Sequence, residues 1–221
     1  MDMDTVPFYI KDCTLLIKMS GFSPAFDIRD LRERIAQCSP SVIYHHYFEN
    51  LLAPTFDYPD FRNDFAVWVK RQLDDDVLAE RLGMIEPYRF DSLEDLRTHT
   101  LDIIDERLSE LHFITAVPPG HEFYFQEAIT VVFETGHVMN NPGEMFKIMP
   151  QLTSSSIYYH FLEARRRTPD LTDDFSLWLE NFGSEWEPLI RDLRSIDFIF
   201  YSLPELKEEL LYIMQQYEVK E

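Results

Sequence analysis

A chain of 221 residues with a net charge of −20 and a pI near 4.6 has room for one large domain or two of roughly 100 residues, and its field repels nucleic-acid phosphates and anionic membranes. Apolar residues make up 45% of it and aromatics 14%, enough to fill a core, which argues against disorder. The two cysteines, Cys13 and Cys38, have no CxxC or ligand-forming neighbour, which excludes a disulfide framework and a cysteine zinc site and points to a reduced, cytoplasmic setting.

Taken in order, the acidic start Met1-Asp2-Met3-Asp4 lacks the basic-then-apolar pattern of a signal peptide. No apolar run approaches the ~18 residues of a membrane span. Residues 8–19 open with Phe8-Tyr9, and the opening returns 115 positions later as Phe123-Tyr124. The second stretch, with Ile129-Thr130-Val131-Val132-Phe133, favours a strand over 123–134. The first is neutral between strand and helix. Gly21 and Gly136 close the two stretches, as a helix C-cap or a turn.

Asp27 is placed to cap a helix whose apolar face is Ile28, Leu31 and Ile35. Its later counterpart starts at Pro142. A helix of three turns is expected from Ser41 to Leu52, stopped by Pro54. It puts Ile43, His46, Tyr47 and Asn50 on one face, with His45 outward. The same pattern recurs from Ser155, with Ile157, His160 and Phe161 on the face and Tyr159 in the place of His45.

The block Pro59-Asp60 to Trp68 returns as Pro169-Asp170 to Trp178. Asp60 and Asp170 read as helix caps, and Phe65, Trp68, Phe175 and Trp178 as core anchors. Helices follow over Asp76–Gly83 and from Glu187. Each half closes with a long helix opened by a capping pattern at Ser92 and Ser202. Val117-Pro118-Pro119-Gly120 is a short, stiff seam between repeat 1 (1–116) and repeat 2 (117–221).

The blocks keep their order at offsets of 115, 114 and 110, which reads as an internal duplication. The expected fold is mainly α: two similar helical halves packed as a pseudo-twofold pair, with short β segments at 8–19 and 123–134. The residues Cys13-Thr14, Ser20-Gly21, Ser41 to His46, Asn63 to Trp68 and Leu78-Ala79-Glu80 resemble the DUF5752 family, a prokaryotic domain of unknown function. The resemblance runs through nearly the whole chain and is read as two tandem copies, the second diverged. It implies no activity.

The chemistry-bearing set is His46, Glu49 and Asp64, echoed by His160, Glu163 and Asp174. Histidine with carboxylates suits acid–base catalysis or a metal site. Equally, a histidine on an apolar face donates one N–H to a carboxylate, with Asp64 as partner, and fixes the angle between two helices. Tyr44 and Tyr158, beside that face, are candidate binding residues. Arg165-Arg166-Arg167 is the sole basic run, a solvated helix end or a contact for an acidic partner. Phosphate-binding, nucleophile-elbow, zincin and EF-hand motifs are missing from the sequence.

Two classes of function remain: a cytoplasmic binding or scaffold protein with a protein partner, or a metal-dependent enzyme or metal-binding protein built on the repeated His and carboxylates. Ligand binding in a cleft between the repeats is a third. No cofactor, no confident metal site, no nucleic-acid partner and no membrane are expected, and the oligomeric state is open.

Overall fold

The stretches headed by Phe-Tyr become strands. In the computed structural model, which describes residues 6–52, 61–168 and 170–217 (backbone only at Phe200), β1 (Phe8–Met19) and β2 (Gln126–Met139) pair as a two-stranded antiparallel sheet. The rest of the regular structure is helical. The segment 8–19 is strand throughout, so the helical alternative falls. The segment expected at 123–134 starts and ends later, because Phe123 makes an isolated antiparallel bridge with Ala25 before the ladder begins. Gly21 follows β1 and Gly136 lies inside β2, with φ of 85° and 81°, so both are strand-associated left-handed positions and neither caps a helix.

By its contacts the chain divides into a contiguous unit, Leu15–Ile129, and a split unit, Met1–Thr14 with Thr130–Glu221. Both strands run from one unit into the other.

In the contiguous unit, α1 (Ile28–Gln37) starts as expected: the Asp30 N–H donates to the Asp27 carboxylate at 2.9 Å, and Ile28, Leu31 and Ile35 are buried. Next, α2 (Pro40–Tyr47) is shorter than the three turns expected. Phe48, at φ −121° and ψ −47°, breaks it into a 3₁₀ turn, Glu49–Leu51. Then α3 (Asp64–Trp68) is capped by Asn63, whose side chain accepts the Ala66 N–H. The expected cap Asp60 and the stop Pro54 lie outside the described residues. A wider π-type turn, Val69–Leu73, continues α3. Two helices complete the unit: α4 (Asp76–Gly83), and α5 (Leu93–Glu110), capped by Ser92. The core gathers Leu31, Ile43, Phe65, Trp68, Leu78 and Leu96 around Phe123 and Phe125. Each such side chain contributes about 2–3 kcal/mol by leaving water.

The split unit contains α6 (Pro142–Ile148), then one helical run made of α7 (Ser154–Ile157), a π-type turn (Tyr158–Glu163) and α8 (Ala164–Arg167). The cap of α9 (Asp174–Leu179) is Asp173, three residues after the expected Asp170. α10 (Glu187–Arg194) and α11 (Leu203–Gln215) follow, the latter with the expected capping box between Ser202 and Glu205. Phe8 and Ile10 of β1 are buried in this unit's core, which includes Ile157, Phe161, Phe175, Trp178 and Leu206. Among the described residues no helix is long and apolar enough to cross a membrane.

Candidate functional site

His46 lies on the buried face of α2, fully out of solvent. Its Nδ1–H donates to Asp64 Oδ2 at 2.7 Å, and its Nε2 accepts the Gln126 backbone N–H at 3.1 Å. The rings of Phe123 and Phe65 stand 4.9 and 5.2 Å away. Burial holds the imidazole below its ordinary pKa, against the pull of the Asp64 carboxylate in the other direction. The ring is therefore neutral, in one tautomer, with both nitrogens used.

Two further contacts join the same elements. The Ser41 and Ser39 hydroxyls at the start of α2 donate to the Glu127 carboxylate, which Lys18 approaches at 3.0 Å. The Ser41 bond, then Lys18, keeps that carboxyl below the usual range. The Trp68 indole N–H donates to the His121 carbonyl at 2.8 Å. The start of β2 and the residues before it are thus fastened to α2 and α3 by a ring nitrogen, a carboxylate and an indole.

The split unit repeats this list with different residues. His160 Nδ1–H donates to Asp174 Oδ2 at 2.8 Å, and its Nε2 accepts the Lys11 N–H at 2.9 Å. Thr153 donates to Asp12 at 2.9 Å, and the Trp178 indole N–H to the Val6 carbonyl at 2.6 Å. Asp174 Oδ2 also receives Arg167 at 2.6 Å, whose guanidinium lies 4.1 Å over the Tyr159 ring.

The structure therefore joins His46 to Asp64 and His160 to Asp174, and separates both glutamates from these pairs. Glu49 is buried against His45 Nδ1 at 3.2 Å, and Glu163 faces Arg166 at 3.9 Å. The expectation that His45 points outward is overturned: it is fully buried, with Glu49, one helical turn on, at 3.2 Å from its Nδ1 and itself buried. Tyr44 is half-buried and stacks on Phe48 at 5.2 Å. Tyr158 is buried, 1% exposed.

The basic run is not a free helix end. Arg165 is buried over Phe161 and Phe198, and Arg167 is bound to Asp174. Among the described residues no three His, Cys, Asp or Glu side chains stand as a metal-binding group. A shallow hollow of about 350 Å³ in the contiguous unit is lined by Trp68, Gln72, His121, Phe123 and Tyr124.

Sequence reading missed the clasping residues Asp12, Glu127, Ser41 and Thr153. A signal existed: Asp12 and Glu127 are both acidic, four residues after Phe8 and Phe123.

The two sets of bonds draw on residues from Val6 to Trp178. The model of the DUF5752 family, a family of unknown function, matches residues 5–215. The chain belongs to the DUF5752 family. The match is one span, so the family unit is the chain as a whole, and the reading of two tandem family copies is not supported. Among solved structures, this DUF5752 chain is similar to OrfY from Thermoproteus tenax, at 29% identity over 97% of each chain and a TM-score of 0.78. No curated protein matches it.

Proposed function

We propose that this DUF5752 chain is a binding or scaffold protein of the cytoplasm rather than an enzyme, and that the family unit is itself an internal duplication. The observation that carries the first part is the full use of both ring nitrogens of His46 and His160 inside the fold. A general base needs a lone pair facing substrate, and a metal ligand needs one facing the ion. Here each Nε2 lone pair is taken by a main-chain N–H.

The exposed apolar side chains favour a protein partner. Tyr9, Leu16, Ile17, Met19, Ile129, Val131, Val132 and Phe133 are all exposed on the two strands. The duplication is supported by equivalent bonds made at equivalent positions: histidine to aspartate, strand N–H to histidine, strand carboxylate to hydroxyl, and indole to carbonyl. It is tested at the helix caps Asn63 and Asp173 below.

Metal analysis by mass spectrometry on chain purified without chelator tests the binding reading. The expected result is no stoichiometric metal. One metal per chain, lost in a His46→Gln, His160→Gln double variant, would overturn it.

A further inference from the structure

Residues 6–12 come just before the helices of the first half of the sequence, yet they bond to helices of the second half, inside the split unit. Residues 121–127 come just before the helices of the second half, yet they bond to helices of the first, inside the contiguous unit. Each helical body is thus completed by the segment that leads the other.

The segment meets its body in the same way both times. Two contacts use main-chain groups. The carbonyl of His121 or Val6 accepts the indole N–H of Trp68 or Trp178, and the N–H of Gln126 or Lys11 donates to Nε2 of His46 or His160. The other contacts use side chains. Phe123 and Phe8 are buried, each 4.9 Å from its histidine ring, and stand 5.2 and 5.4 Å from Phe65 and Phe175. Two positions on, Phe125 and Ile10 are buried. Two further on, Glu127 and Asp12 accept hydroxyls from Ser41 and Thr153. Alternate side chains face the body, as an extended strand requires, and the intervening Tyr124 and Tyr9 are exposed.

We propose that each helical body is a slot for an extended peptide of the pattern apolar-x-apolar-x-acid, filled here by the chain's own two segments, and that either slot accepts either segment. The inference rests on the reading of the chain as an internal duplication. The main-chain contacts are offered by nearly any sequence, so specificity falls on the two apolar positions and the carboxylate. The apolar pair carries most of the affinity, because whole side chains leave water there, whereas each hydrogen bond replaces one made to water.

A tethered segment outcompetes a free peptide, so the test weakens the tethered one in the full chain with Phe8→Ala and Ile10→Ala. This variant is expected to melt below the wild type. Excess synthetic peptide of residues 6–12, or of residues 121–127, is expected to raise its melting temperature by several degrees and to leave the wild type's unchanged. The peptide of residues 6–12 carrying both alanines is expected to have no effect. No rise with either peptide overturns the inference, as does a rise with only one of them or an equal rise with the alanine peptide.

A second full chain guards against a variant too unstable to fold. In it residues 6–12 and 121–127 carry each other's sequence. It is expected to keep the helical circular-dichroism signal and a cooperative melt, and the loss of either overturns the inference. Failure of these tests with Asn63 and Asp173 behaving as equivalent caps leaves the duplication standing. Caps that behave differently sink the duplication itself.

Discussion

In the contiguous unit Asp64 is 2% exposed, with His46 on Oδ2 and the Asn50 amide at 3.4 Å from Oδ1. In the split unit the side chain of Asp174 is 22% exposed and shares Oδ2 between His160 and Arg167. The histidine geometry is nearly the same, but the charge is stabilised by different means. Asp64 is buried and takes the His46 and Asn50 side chains, whereas Asp174 takes a guanidinium beside its histidine and keeps partial contact with solvent. The His–Asp distance is kept in both units while the exposure of the carboxylate differs.

The largest effects should come from removing each aspartate. Asp64→Ala leaves the neutral His46 N–H buried and unpaired and should cost about 2–3 kcal/mol. Asp174→Ala, at a wetter site, should cost about 1–2 kcal/mol. Urea unfolding of the two variants measures the gap, and equal losses would break the comparison.

Next in size is a pH effect. Burial depresses the His46 pKa in the folded state, so the unfolded chain binds that proton more tightly. The stabilisation is complete above the unfolded histidine value of about 6.5 and is lost as pH falls below it. A proton on Nε2 would also meet the Gln126 N–H head-on. His46→Gln keeps a donor and an acceptor but cannot titrate. It should lower stability by about 1–2 kcal/mol at neutral pH and flatten the fall of the melting temperature between neutral and mildly acidic pH. An acid arm as steep as the wild type's would count against His46 as its source.

The smallest effect compares the caps. Asn63 donates its amide to the Leu82 carbonyl, whereas Asp173 accepts from Ser176 and has Arg165 at 3.7 Å. Burial raises the Asp173 pKa, so its ionised form disfavours folding as pH rises through the folded value. Asp173→Asn should therefore change stability by less than about 1 kcal/mol at neutral pH, and in the stabilising direction. Asn63→Asp should be clearly worse, since its carboxylate would face a carbonyl. A large loss from Asp173→Asn in thermal melts would argue against equivalence of the two positions.

Much of this was legible in the sequence. Capping at Asp27, Ser92 and Ser202 and the extent of Asp76–Gly83 follow from local rules, because the groups that decide them lie within a few residues. The pairing of His46 with Asp64 was legible too, as one of two alternatives, from helix spacing. The strand partners were not. Gln126 reaches His46 through its backbone, and a main-chain N–H has no residue type to betray it. The burial of His45 depends on what packs over α2 from elsewhere in the chain, which helix spacing does not show. The π-type turns after Trp68 and Ile157 have no local signature either.

Lys11 meets His160 across 149 residues of sequence, and Trp178 meets Val6 across 172. During synthesis the contiguous unit has all its own residues once Ile129 has emerged, while β1's first half must wait for the rest of the split unit. Phe8 and Ile10 therefore spend most of translation without their burial sites. The first half of β1 is made long before its partners and is among the last pieces to find its place.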